Sequence, residues 1–391
     1  MTLPAAVVIG AGVNGLGVVR SLAAGGVPVH LLDADPSLPA MRTRRARVGV
    51  VPRAEGEPLI AALLALRAEL GPAPVLFPTL DESVETLSRS RARLGDCRLR
   101  LPPQEVLDAL VTKNGFQELA ERHGARVPAA VRVRDVADLE SLGGLRYPCA
   151  VKPDVHTPAY DARFAKAYRV DTADEARRLC EAILEVMPGI VVQEWIQGDD
   201  SEIYFCLQYR NAENRSVASF TGRKIRAWPR EIGATASCVP APEAAAALEE
   251  ATEQFFGRLR VVGMCGMEYK RDRRDGRYYM VEPTVGRTDA QEEVATLNGV
   301  NIPLAAYAEE CGLPAPRPVA PRRPVMWMRD ALAEFQARRA GPVVHGPPAG
   351  SRLVDGLWRA ADPLPALAAY PVRATEWIVG RMSRRLSQRS R

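Results

Sequence analysis

The chain has 391 residues, 47% hydrophobic and 25% charged, a balance that suits two or three packed globular units and excludes a disordered or fibrous class. Its +5 charge is uneven: from Arg317 onward fourteen arginines face five acids, a net of +9, so the first 316 residues carry −4 and are not a basic nucleic-acid binder. Seven scattered cysteines with no CxxC pair exclude a cysteine metal site and point to reduced thiols, and no apolar run reaches the ~18 residues of a membrane span.

The chain opens on MTLPAAVVIGAG, which has no basic leader and runs directly into a strand at residues 5–9, so a cytoplasmic protein is expected. A helix at 14–24, a strand at 29–32, a strand at 48–51, a Leu/Ala-rich helix at 58–70 and a strand at 75–77 follow. Strands separated by helices predict a parallel sheet with βαβ crossovers, ended by Pro102 and Pro103. Beyond Gln104 a helix is expected at 113–122 and strands at 149–152, 191–194, 202–209, 217–225, 263–270 and 278–282. Those strands follow one another with fewer helices between them, which predicts antiparallel α+β architecture covered by helices at 172–186, 242–259 and 289–297. Past Leu313 the composition turns to Pro, Arg and Ala and reads as a linker, short helices and a basic end.

Gly10, Gly12 and Gly15 form a GxGxxG turn between strand and helix, with Asp33 after the second strand where a ribose-binding acid would sit. An NAD(P)-dependent oxidoreductase is one reading of that turn; a plain tight turn serving a small substrate is the other. Later residues favour the second, because they supply phosphate-binding machinery of their own.

Lys113 opens a helix and Lys152 ends the apolar strand PCAVK; two separated lysines can clamp a triphosphate, or can be solvated edge residues. The apolar segment VVQEWIQG, residues 191–198, offers backbone groups to an adenine edge and leads to Glu202, which could accept ribose hydroxyls or face water. Glu268 and Glu282 flank a charged turn containing Asp275-Gly276, a hairpin signal that pairs the two acids across strands. Paired acids near phosphates are natural magnesium ligands; the alternative is salt bridges to Lys270 or the arginines of the turn.

This ordered set, spread over roughly residues 5–310, resembles the ATP-grasp superfamily, specifically its predicted carboxylate–amine ligase branch with D-aspartate ligase-like members. The pieces are GLGVVRSL at 15–22, KNGF at 113–116 with HGARVP at 123–128, YPCAVKP at 147–153 and QEWIQG at 193–198. They continue with FTGRKIR at 220–226, GME at 266–268 and VEPTVGR at 281–287. The resemblance implies a Rossmann-like (pre-ATP-grasp) parallel sheet domain at 1–103 and a two-subdomain ATP-grasp fold at 104–316, with a small lid subdomain at about 115–195, a larger one at 196–316 and a Pro/Arg-rich extension at 317–391.

It also implies roles by position. Lys113 and Lys152 match nucleotide-binding lysines, Gln193, Glu194, Trp195 and Ile196 the adenine-contacting linker, and Glu202 the ribose-contacting acid. Arg223 and Lys224 match a basic pair facing the phosphates or acyl phosphate; Glu268 and Glu282 match the magnesium carboxylates, and Arg287 a substrate- or phosphate-binding arginine. Thr284 stands where the third metal ligand is usually asparagine, and the 152–166 loop, which should close over the phosphates and holds Lys166, lacks glycine. The implied chemistry is ATP- and magnesium-dependent activation of a carboxylate to an acyl phosphate, then attack by an amine, with amino acids or peptides as substrates. A non-catalytic ATP-binding scaffold is the alternative that Thr284 and the loop suggest.

His156 is read as incidental. The arginine-rich end from Pro371 is expected to dock on the body rather than rest on an anionic membrane, and a homodimer is expected.

Overall fold

In the computed structural model, which describes residues 3–155, 157–231, 233–372 and 375, three sheets account for the strands. The first begins with β1 (Ala6–Ile9), whose four residues are all buried, followed by α1 (Val13–Ala24), β2 (Val29–Asp33), β3 (Arg47–Val50), α2 (Gly56–Glu69), β4 (Val75–Pro78) and α3 (Asp81–Arg89). Its order is β3-β2-β1-β4 and every pairing is parallel, as the strand–helix alternation predicts. Helices α4 (Gln104–Val111) and α5 (Lys113–Arg122) lead out of it.

The second sheet is small and antiparallel, with order β5-β8-β6-β7. It is built from β5 (Ala130–Val133), β6 (Cys149–Pro153), α6 (Pro158–Asp161), β7 (Tyr168–Val170), α7 (Ala173–Leu184) and β8 (Ile190–Glu194). One face of α7, carrying Ala176, Cys180 and Ile183, packs on Cys149, Val151, Ile190 and Val192 to give this sheet its own apolar core.

The third sheet carries β9 (Ile203–Arg210), β10 (Ser216–Trp228), β11 (Ala234–Pro240), α8 (Pro242–Arg258), β12 (Gly263–Arg271), β13 (Tyr278–Val285), α9 (Glu293–Leu297), α10 (Ile302–Cys311), β14 (Val325–Met328), α11 (Ala331–Arg339) and β15 (Arg352–Asp355). The order β13-β12-β9-β10-β11-β14-β15 has seven strands, antiparallel except for the last pair. Strand alternation gives it two faces. Met267, Tyr269 and Tyr204 share a core with Leu248, Phe255 and Phe256 of α8, while Phe205 and Leu207 belong to the cluster that also holds α1 and β1 residues.

Two expectations are corrected here. The stretch after Pro316 is not an appended extension: β14 and β15 complete the large sheet, and Trp327 is fully buried with its indole N–H donating to Glu293 at 3.0 Å. Four apolar residues, VMWM, are enough to place a strand, and their Pro/Arg-rich flanks masked them in the composition. The helix expected at 289–297 starts only at Glu293, because the Asp289 carboxylate accepts from the Ala290 N–H and the Gln291 amide and so competes with helical pairing. The amphipathic basic end lies outside the described residues except for Pro371, Val372 and Thr375, as does His156. No helix among the described residues is long and apolar enough to cross a membrane.

The first sheet is locked to the third through α1. Arg20, side chain 8% exposed, donates to Asp362 and to the carbonyls of Gly356 and Leu357, and Tyr307 of α10 donates to the Pro4 carbonyl at 2.7 Å.

Candidate active site

The cleft lies between the small sheet and the large one. Thr112 caps α5 by accepting from the Gly115 N–H, so Lys113 occupies the first turn. That turn is held against the end of β6, since Asp154 accepts from the Asn114 N–H at 2.7 Å through its carboxylate and from the Lys113 N–H through its carbonyl. Lys152, on β6 itself, donates to Gln193 at 3.4 Å. Burial lowers both ammonium pKa values; Glu282 pulls each back up, Lys166 pushes each down, and Lys113 adds to the fall at Lys152.

Glu268 on β12 faces Glu282 on β13 directly across the ladder, as the hairpin signal predicts. Lys224, on β10, reaches Glu268 with Nζ 2.5 Å from Oε2. The two carboxyls diverge. Burial raises Glu268 above the usual carboxylate range despite Lys224, with Glu282 adding to the rise. Enclosure in the cleft pushes Glu282 up too, but Lys113, Lys166, Lys152 and Lys224 outweigh it and the net shift is downward. Glu282 remains open to solvent, so it is the carboxylate ready for a ligand.

Among the described residues no group of three or more His, Cys, Asp or Glu is arranged to hold a metal. Two opposed carboxylates still suit magnesium, which takes oxygen donors and shares its shell with phosphates and water. Thr284 is opposite Gly266, two residues from Glu282 and therefore on the same face of the strand.

The far wall comes from the first sheet. Gly286 has φ +77°, and a Cβ there would lie 2.6 Å from Val84 and 2.8 Å from Leu101, so glycine lets the end of β13 press against α3. Arg287 is thereby delivered to Asp81 at the start of α3, with Nε–Oδ1 2.5 Å and Nη2–Oδ2 3.0 Å. Asn14, in the first turn of α1, donates to the carbonyls of Thr288 and Thr79 and accepts from the Thr288 hydroxyl. The glycine turn is therefore tied to the same corner. Asp33 does not project from it: its carboxylate accepts from the Ala11 and Asp35 N–H groups, which removes it from any ribose-binding role.

Two expected residues, Arg223 and Glu202, are turned to other partners. Arg223 neighbours Lys224 but points to the other face of β10, where its guanidinium donates to the carbonyls of Ser201, His345 and Gly346 and lies 3.9 Å from Glu243 of α8. It does not face Lys113 and Lys152. Glu202 is 1% exposed and is ion-paired with Arg271 and Arg273 and bonded to His345, so its carboxylate is consumed by protein. Glu194 is held by the backbone N–H and guanidinium of Arg146.

Within the linker, Gln193 is buried and joins Lys152 to Gln117. The Trp195 N–H donates to the Pro148 carbonyl, whereas the Ile196 N–H has no partner among the described residues and is free for a ligand edge.

Sequence reasoning missed Asp81 and gave Lys270 only a salt-bridge reading. Strand alternation could have found Lys270, two residues after Glu268 and on its face; nothing local marks Asp81. Beyond Thr157, Tyr160 is fully buried, stacks on Phe164 at 5.3 Å and donates to the Ala165 carbonyl, in keeping with a loop that lacks glycine.

No protein-family model and no curated protein matches the sequence. Solved structures do match the fold. The N5-carboxyaminoimidazole synthetase of Staphylococcus aureus, complexed with ADP, superposes with a TM-score of 0.64 at 15% identity over 87% of each chain. The N5-carboxyaminoimidazole ribonucleotide synthetase of Thermus thermophilus gives 0.61 at 19% identity, covering 82% of this chain and 81% of its own. A biotin carboxylase–βγ-ATP complex from Campylobacter jejuni gives 0.63 at 13% identity, covering 81% and 72%. The fold is accordingly a Rossmann-like parallel sheet followed by the ATP-grasp arrangement of a small and a large antiparallel sheet.

Proposed function

We propose that the chain is an ATP-dependent carboxylate–amine ligase that forms an acyl phosphate and releases ADP and phosphate. One observation carries this reading: Lys113, Lys152, Lys166 and Lys224 all act on Glu282, which faces Glu268 across the hairpin. Four cations around two carboxylates are poorly explained by stability alone, since crowding like charges in a cleft costs free energy that a polyanion would offset. The nucleotides in two of the similar structures, ADP and βγ-ATP, support a nucleotide as that polyanion.

In this reading the lysines orient the triphosphate, and Lys224 fixes Glu268 through its ion pair. Magnesium would be held by Glu268 and Glu282, with Thr284 alongside, and would supply charge neutralisation to the phosphates. Arg287 and the glycine turn would seat the carboxylate, whose oxygen attacks the γ-phosphate; an amine then displaces phosphate from the acyl phosphate. Positioning and electrostatics suffice for such phosphoryl transfer, so no Ser or Cys nucleophile is needed. The D-aspartate ligase-like branch, with amino-acid or peptide substrates, is the finer assignment we favour on the motif set from KNGF to VEPTVGR. We assign 1–103 to the substrate-binding unit and 104–316 to the ATP-grasp unit, the latter completed by β14 and β15.

The test is a product screen with ATP, magnesium and pooled carboxylates and amines. ADP, phosphate and a condensed mass are expected; AMP and pyrophosphate would replace this mechanism by adenylation, and NADH binding without ATP binding would revive the oxidoreductase reading.

A further inference from the structure

Lys270 is 9% exposed, and among the described residues its ammonium has neither a hydrogen bond nor an ion pair. Nζ lies over the face of Trp195, 4.9 Å from the ring centroid. An ammonium on a side chain this enclosed ordinarily has a carboxylate partner, so an anion entering the cleft would find an available charge. The charges that reach it are those of Glu231, Asp200 and Glu268, with Lys152 repelling it. Asp200 is occupied elsewhere, accepting from the Ala227 and Glu231 N–H groups.

The position is informative. Lys270 and Glu268 alternate onto the same face of β12, about 7 Å apart along the strand. Glu268 marks the end of the cleft where the two carboxylates meet. Trp195 marks the other end, beside the unpartnered Ile196 N–H at the exit of β8. A nucleotide lying between those ends would place its first phosphate between the base and the metal carboxylates, beside this ammonium.

We propose that Lys270 is a further nucleotide-binding residue whose ammonium pairs with the α-phosphate, while Trp195 holds the side chain in place by its ring face. This rests on the ATP reading above and adds a contact to it.

The experiment is equilibrium binding of adenosine, AMP and MgADP to the full chain, comparing wild type with Lys270→Met and Lys270→Arg. Lys270→Met should weaken AMP and MgADP at least ~10-fold and leave adenosine unchanged, and Lys270→Arg should restore AMP to within ~3-fold, as expected for a charge-assisted phosphate contact. Because an unpaired buried charge is removed, Lys270→Met should melt at or above the wild-type temperature.

Equal loss of adenosine and AMP would overturn the proposal in favour of a floor for the base built through Trp195. Unchanged AMP binding, or a marked fall in melting temperature that Lys270→Arg reverses without restoring AMP binding, would overturn it as well. Wild type that binds MgADP while Lys270→Met binds it equally well removes only this contact; wild type that binds no adenine nucleotide removes the ATP reading too.

Discussion

Lys224 binds Glu268 at 2.5 Å but not Glu282, although the two glutamates are opposite each other on β12 and β13. One lysine therefore divides a symmetric-looking carboxylate pair into a charge-paired member and an accessible one. Glu282→Gln should lower turnover at least ~100-fold, the scale of removing a preorganised electrostatic contact. Its melting temperature should stay near wild type, since Glu282 is solvent-open and packs nothing. Steady-state ADP release and thermal melts check both halves, and retained turnover would remove the metal assignment.

Arg223 and Lys224 are adjacent in sequence and opposite in consequence. Lys224→Met is expected to cut turnover ~100-fold, whereas Arg223→Met should leave turnover within about 3-fold and cost roughly 2 kcal/mol of stability, because three carbonyls lose a buried donor. Kinetics and urea unfolding of the two variants separate the faces. Equal kinetic damage from both would return Arg223 to the site.

Arg20 and Asp362 join α1 to the chain beyond β15, with side chains 8% and 2% exposed. Asp362 also accepts from the Thr43 hydroxyl and the Arg44 N–H, so Asp362→Ala removes the ion-pair partner of a buried guanidinium and frees two donors. A loss of about 3 kcal/mol is expected in denaturant unfolding. A neutral result would mean that this segment is dispensable.

Glu292 is buried where α1 meets α9, and burial, reinforced by Glu293, pushes its carboxyl up to about 8 while Thr296 and Ser21 moderate the rise. The folded pKa lies above the unfolded one, so its contribution is fully favourable below the unfolded carboxylate value. Stability is lost as pH rises from there through the folded value. Glu292→Gln removes that dependence. The variant should gain roughly 3–6 °C relative to wild type between pH 5 and pH 8 in thermal melts. A pH-independent difference would indicate that the carboxyl is ionised in the fold.

Much of this was legible locally. The β1–α1 glycine turn, the cap Thr112 before Lys113 and the Asp275-Gly276 hairpin are encoded within a few residues, because backbone preference and alternation act over that range. The hairpin put Glu268 and Glu282 on neighbouring strands, but a one-residue register shift between Glu268 and Tyr269 brings them directly opposite each other. Chain order suggested Lys113 and Lys152 as a pair, whereas Lys224 entered only through the resemblance of the motif set.

The rest was decided by contacts between distant segments. Which face of β10 carries Arg223 depends on where α8 and the carbonyls of His345 and Gly346 lie; whether Glu202 is free depends on Arg271, Arg273 and His345; and Asp33 is withdrawn by the N–H of Ala11. A charged side chain takes whichever partner the fold brings within a few ångströms, and desolvation makes that pairing stronger than any local preference. Residue type and spacing determined which groups were available for phosphate and metal chemistry; packing of the sheets determined which of them face the cleft.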